Sequence, residues 1–197
     1  MLKSKYGRID WWRGNADEVM IGAILTQQTR WEAVEKALLQ LRQWDLCSMA
    51  AINTAERTDL ERAIMGTGFY RIKARRLKSL ASHVIEEYES IERMAEQPTE
   101  HLRENLLGVL GIGEETADSI LCYGLSRPSF VTDAYTERIC RCVGISAKRP
   151  VLKTLFEKVL PHDTAVYQQV HAHIVEYAKE YCVKKRCTEC TIPTLNG

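Results

Sequence analysis

Three stretches of the 197-residue sequence carry residue types at spacings that could do chemistry. In the first, Leu106 to Ala117, the run Gly111-Ile112-Gly113 lies between two helical patterns. One ends at Leu110, and the other opens with Thr116, Ala117, Ile120 and Leu121. Two glycines flanking one apolar residue let the backbone approach a ligand closely while Ile112 anchors the turn. Amides at the start of the second helix can then receive an anion, phosphate being the natural one. The same residues also describe a tight helical hairpin that binds nothing. The second stretch is Cys182-x4-Cys187-x2-Cys190, crowded as metal ligands are. The chain has seven cysteines and no export signal, which speaks for reduced thiols. Cys47, Cys122, Cys140 and Cys142 read as small core hydrophobes. The third stretch surrounds Asp133, which by position alone caps a helix running through Tyr135 and Arg138.

A further basic run, Arg71, Lys73, Arg75, Arg76 and Lys78, is either a solvated helix face or a row of phosphate contacts.

The elements that must hold these residues have helical spacing almost throughout. Trp31, Val34, Leu38, Leu41 and Trp44 form one apolar stripe. Leu77, Leu80, Val84 and Tyr88 form a second, and Val166, Val170, Ile174, Tyr177 and Tyr181 a third. Val151 to Leu160 suggests a helix buried on a broad face. Asn15-x-x-Glu18 and Thr58-x-x-Glu61 read as capping boxes, and Asp163 caps the helix after Pro161. The one β-looking run, Pro128 to Thr132, is short. The fold class expected is all-α, with about ten helices and a boundary near Ser126-Arg127-Pro128.

Composition narrows the classes. With 45% hydrophobic and 27% charged residues, 11 Gly and 5 Pro, the chain is globular, not disordered, collagen-like or a small disulfide scaffold. No window reaches the roughly 18 apolar residues of a membrane helix, and the N-terminus lacks an apolar signal core. A soluble, cytoplasmic protein is expected. Its 27 basic and 26 acidic residues sum to +1, which taken alone argues against a nucleic-acid binder.

The hairpin points the other way. Leu106 to Ala117 resembles the helix-hairpin-helix of the endonuclease III superfamily of DNA glycosylases. Phe130 to Arg138 is similar to the family segment that supplies a catalytic aspartate. Gly22 to Thr29 resembles its Leu-(Ser/Thr)-x-Gln-x-Thr helix end, and Gly68 to Ala74 its Gly-(Leu/Phe)-Tyr-x-x-Lys-Ala motif. Four motifs in order span nearly the whole chain.

The resemblance implies a two-lobed all-α fold with the active site in a cleft between lobes. Residues 16–127 would form a six-helix lobe with the hairpin at about 104–122, and residues 1–15 plus 128–197 the second. Asp133 would stabilise the oxocarbenium charge that develops on the sugar and activate water at C1′. Bifunctional members carry a lysine two residues after the second hairpin glycine. Glu115 stands there and cannot form an imine, so hydrolysis without strand cleavage is implied. Trp11-Trp12, Thr26 to Trp31 and Asp133 to Tyr135 look like the monofunctional 3-methyladenine branch. An electron-poor alkylated base would stack in a pocket of Trp11, Trp12, Trp31 and Tyr135, though each Trp is equally readable as core.

Gln27 would fill the gap left by the flipped nucleotide and Phe69 wedge the orphaned partner. Arg71, Lys73, Gly111, Ile112, Gly113 and Thr116 would hold damaged duplex DNA, bound by a monomer. Superfamily members often hold a [4Fe–4S] cluster through Cys-x6-Cys-x2-Cys-x5-Cys. Here Cys187 and Cys190 match, Cys182 sits two residues closer, and the fourth position is Asn196. Three thiolates leave a cluster with one exchangeable iron, or zinc with His171 or His173, and the chemistry requires neither. Specificity for uracil, mismatched thymine or an oxidised base, and a non-catalytic DNA-binding module, are the alternatives. Basic residues gather at Arg71 to Lys78, Arg138 to Arg149 and Lys184 to Arg186. The near-neutral sum therefore predicts one basic cleft on a balanced surface.

Overall fold

The computed structural model describes residues 2–12 and 14–192. Twelve α-helices follow one another among them. They are α1 (Leu2–Tyr6), α2 (Ala16–Leu25), α3 (Trp31–Gln43), α4 (Met49–Thr54), α5 (Arg57–Ala63) and α6 (Tyr70–Tyr88), then α7 (Ile91–Ala95), α8 (Thr99–Gly108), α9 (Glu114–Ser119), α10 (Ala134–Cys142), α11 (Arg149–Val159) and α12 (Thr164–Tyr177). Single π-turns extend α9 over Ile120–Gly124 and α12 over Ala178–Val183. The surplus over ten comes from short helices such as α5, α7 and α9, which hold too few turns to show a period. No strand occurs among the described residues, and none of their helices is long and apolar enough to cross a membrane. The fold is all-α and two-lobed, its compact units being Met1–Arg13 with Arg127–Gly197, and Gly14–Ser126.

In the unit Gly14–Ser126, α2 is the axis. Val19 through Leu25 are all buried, as befits a helix that is apolar on every side. Asn15 caps it, accepting the Glu18 amide at 3.0 Å, and Glu18 holds Arg42 of α3 through two bonds of 2.6 and 2.7 Å. On α3 the stripe narrows to Val34, Ala37, Leu38 and Leu41; Trp31 and Trp44 at its ends are 38% and 40% exposed. The α6 stripe of Leu77, Leu80, Val84 and Tyr88 is buried along its full length. Thr58, expected to open a capping box, lies inside α5, whose N-cap is Glu56. Burial of Leu60 and Ala63 sets that register instead.

In the other unit, Asp133 and Asp163 cap α10 and α12, accepting the Thr136 and Val166 amides at 2.7 and 2.9 Å. The broad buried face expected for Val151 to Leu160 is absent. Only Leu152 of α11 is buried, and Val151 and Val159 are 59% and 71% exposed. Periodicity places apolar side chains on one side of a helix but does not supply the surface opposite. The segment Pro128 to Thr132 forms no strand, and the Ser129 amide donates to Arg127 O at 2.8 Å as it begins.

Candidate active site

Asp133 stands on a rigid pedestal. Phe130 is buried, stacked on Phe156 with ring centroids 4.3 Å apart and edge-on to Tyr167 at 5.7 Å. Its amide donates to Glu157 Oε1 at 2.9 Å, and Lys153 Nζ donates to Ser129 Oγ at 2.8 Å and Phe130 O at 3.3 Å. With the backbone fixed on both sides, the carboxylate has little freedom. Its Oδ1 accepts the amide and the hydroxyl of Thr136, at 2.7 and 2.8 Å. Its Oδ2 lies 3.6 Å from His171 Nε2. Burial alone would push this carboxyl up; the His171 imidazole and the Thr136 donors outweigh burial and leave it below the ordinary aspartate value. An ionised carboxylate therefore survives in a buried position.

His171 is the functional neighbour that sequence reasoning assigned elsewhere. It lies 38 residues downstream on α12, so no local spacing could pair it with Asp133. Trp11 packs edge-on against His171 at 5.4 Å, with Lys179 Nζ 5.3 Å from the Trp11 ring centroid. The segment that presents Trp11 is tied to α12 by two side chains. Gln169 exchanges two hydrogen bonds with the Ile9 backbone, at 2.7 and 3.0 Å, and His173 Nε2 donates to Gly7 O at 2.7 Å. Of the four expected pocket aromatics, Trp11 is thus brought to the aspartate's neighbour. Tyr135 follows Asp133 in the first turn of α10 and is half-buried. Trp12 is half-buried with φ 50°, in the left-handed region. Trp31 belongs to the other unit. Two surface cavities, of about 300 and 710 Å³, are lined by residues such as Arg141 and Lys148, and Lys36 and Arg62; neither is lined by Asp133 or these aromatics.

The hairpin forms as its glycines dictate. Gly111 has φ 82° and lies against Arg76; a Cβ there would stand 2.4 Å from Arg76 Cγ and Cδ. Ile112 is buried, Gly113 is the exposed N-cap of α9, and Glu115 is exposed. Arg103 of α8 braces α9 through two bonds to Asp118, at 2.8 and 3.2 Å. Thr116, expected as a DNA contact, is buried, and its hydroxyl accepts from Gln27 Nε2 at 3.2 Å. Gln27 Nε2 also donates to Gly111 O at 3.1 Å, and Arg76 donates to Gln27 Oε1. Gln27 is therefore stowed against the hairpin. The glutamine presented to solvent is Gln28, exposed with φ 54°. Phe69, 63% exposed with φ 46°, is presented in the same way.

The basic run is a correction too. Lys73, expected as a phosphate contact, is 1% exposed. Its Nζ donates to Leu25 O at 2.8 Å, to Thr67 O at 2.9 Å and to the Thr29 hydroxyl. Burial, with the Arg76 charge adding, lowers its pKa from 10.5 to about 8. Lys78 caps the end of α4, donating to Ile52 O, Asn53 O and Ala55 O at 2.7 to 3.1 Å. Arg71 and Arg75 remain exposed, Arg71 with its guanidinium 5.5 Å from the Tyr70 ring centroid. Two of the five cations, Lys73 and Lys78, are thus spent on backbone carbonyls, and Arg76 on the Gln27 side chain.

Of the three C-terminal cysteines, Cys182 is half-buried, its thiol pushed up first by burial and then by Cys142, with Cys190 and Cys187 adding. Among the described residues no three His, Cys, Asp or Glu side chains are placed to hold a metal ion. Cys187 is exposed, and Cys190 Sγ lies 3.1 Å from the Tyr177 hydroxyl. His171 and His173 are engaged with Asp133 and Gly7, and Asn196 lies outside the described residues. With a neutral Asn at the fourth expected position, Cys182, Cys187 and Cys190 supply three thiolates where such a cluster is normally held by four.

Comparison with known proteins bears on both units. Residues 21–162 match the family described as HhH-GPD superfamily base excision DNA repair protein. A Methanocaldococcus jannaschii protein assigned as a DNA repair glycosylase is 43% identical over 199 residues, covering 98% of this chain and 90% of that one. Endonuclease III of Thermotoga maritima is 28% identical, covering 87% and 78%. Among solved structures, the H. pylori 3-methyladenine DNA glycosylase bound to 1,N6-ethenoadenine superposes with a TM-score of 0.81 at 30% identity, covering 91% and 94%.

Proposed function

Because the chain belongs to the HhH-GPD superfamily of base excision DNA repair proteins and is a DNA N-glycosylase, we propose that it removes an alkylated, 3-methyladenine-like base from duplex DNA by hydrolysis alone. The observation that carries this reading is the state of Asp133, a buried carboxylate kept ionised by His171 and Thr136. As the bond between C1′ and the base lengthens, its electron pair leaves with the base and positive charge grows on the sugar. The fixed carboxylate stabilises that charge. Water then adds to C1′ and gives up a proton, for which Asp133 Oδ2 is the acceptor. Oδ1, saturated by Thr136, keeps the group in place.

An alkylated purine that is already cationic needs little protonation to depart. Trp11, seated on His171, offers it an electron-rich face. The substrate named for the H. pylori neighbour supports the same class. Glu115 supports hydrolysis over imine formation, since no amine stands at that hairpin position. Duplex contact is proposed through the exposed Gly113 amide and Arg71, with Gln28 in place of Gln27, and Phe69, entering the base stack.

A base-release assay on duplexes with single lesions tests this. Release of 3-methyladenine by the wild type and its loss in Asp133→Asn are expected. Release of uracil, thymine or an oxidised base instead would overturn the substrate class. A borohydride-trapped covalent adduct would overturn hydrolysis. Full activity of Asp133→Asn would overturn the mechanism.

A further inference from the structure

We propose that Lys73 is a positioning residue that locks the Gln28 and Phe69 tips into one probe, so that both side chains meet the duplex in fixed register. This rests on the reading of those tips as the intruding side chains. Both are non-glycine residues at positive φ, 54° and 46°, and both are exposed. Such a conformation carries strain, so it persists only where the flanking backbone is held. The flanks are what Lys73 holds. Leu25 and Thr29 bracket Gln28, and Thr67 lies two residues before Phe69. The Thr29 hydroxyl donates to Thr67 O at 2.6 Å and closes the link directly between the two loops.

The chemistry of the cage explains the residue type. Leu25 O is a last-turn carbonyl of α2, and Thr67 O closes the 3₁₀ turn Met65–Thr67. Both point the negative end of a helix at the ammonium. A hydrocarbon at this place would take the ammonium donor from Leu25 O and leave Thr67 O to the Thr29 hydroxyl alone. Lys78 performs the same chemistry five residues later, but all its acceptors belong to the end of α4. It is a cap; Lys73 is a bridge. On the same helix Arg76 ties Gln27, the residue before Gln28, while its side chain lies against Gly111. The hairpin is thereby joined to the same body.

The test uses a duplex containing a tetrahydrofuran abasic analogue beside 2-aminopurine, and an intact duplex of the same sequence. The wild type is expected to bind the abasic duplex more tightly and raise 2-aminopurine fluorescence. Lys73→Met and Thr29→Val should each reduce the preference for the abasic duplex at least tenfold and suppress the fluorescence rise. Intact-duplex binding should change less than twofold. Lys78→Met should lower Tm yet keep the preference. The clamp is overturned if Lys73→Met, melting cooperatively, discriminates as the wild type does; Thr29→Val, which retains the lysine and its bonds to Leu25 O and Thr67 O, overturns the Thr29 link if it discriminates fully. The clamp is also overturned if Lys78→Met loses discrimination in step with its Tm. If the wild type itself does not distinguish the duplexes, the reading of the tips fails first and takes the clamp with it.

Discussion

Asp133 and Lys73, one buried charge from each unit, are kept in opposite ways. Asp133 is surrounded by donors, and against the cost of burial the His171 imidazole and the Thr136 donors together leave it below the ordinary aspartate value. Lys73 is surrounded by neutral oxygens, with the Arg76 guanidinium working against it, and its pKa falls to about 8. One carboxylate is held ionised well away from neutrality. The other charge stands near the pH at which it would be lost. A charge proposed to face a reacting atom has to be secured by its surroundings. A charge that only gathers carbonyls can be held near its limit, because the amine still donates after losing a proton.

The sharpest way to break this contrast is Asp133→Asn. Base release should fall a hundredfold or more, on the order of other losses of electrostatic transition-state stabilisation. Because asparagine caps helices well, as Asn15 does, Tm should change little. Stability against pH addresses the lysine. Between about 8 and 10.5 the unfolded chain binds a proton that native Lys73 has released, so stability rises with pH in that window. Chemical denaturation should show the wild type gaining up to about 3 kcal/mol over Lys73→Met there. A flat difference would mean that the cage solvates the ammonium fully. Gly111→Ala acts on the nearest competing charge. Its Cβ would collide with Arg76, and φ 82° disfavours any side chain, so a loss of about 2 kcal/mol is expected in urea melts. The smallest change is expected in acid. A native carboxyl below its unfolded value stabilises the fold above that value and loses the contribution as pH falls through the native one. The stability difference between wild type and Asp133→Asn should therefore shrink below about pH 4, the ordinary aspartate range.

Most features that are short in sequence were legible, the Thr58 capping box excepted. The hairpin turn is written in Gly111, Ile112 and Gly113, and the caps at Asn15, Asp133 and Asp163 reach amides three residues on. Long-range partners were not. Lys73 looked like one more cation in a basic run because its acceptors lie 48 and 6 residues away, in segments whose approach no period reveals. Gln27 and Gln28 differ only in backbone: a left-handed φ at Gln28 turns one outward and leaves its neighbour folded on the hairpin. His171 met Asp133 only through tertiary packing. The apolar side of α11 was visible as a period, yet nothing in the sequence tells whether a surface lies opposite it.

The tie between the Gly7–Ile9 backbone and α12, made by Gln169 and His173, has a consequence for synthesis. One compact unit is built from both ends of the chain, and the other is a continuous stretch inserted between them. Emerging from the ribosome, residues 14–126 can close on themselves while Asp133 is still untranslated. The first twelve residues must wait for α12. The nascent chain therefore completes the part that carries the hairpin before the part that carries Asp133, and no translation product truncated before α12 holds Asp133 beside His171.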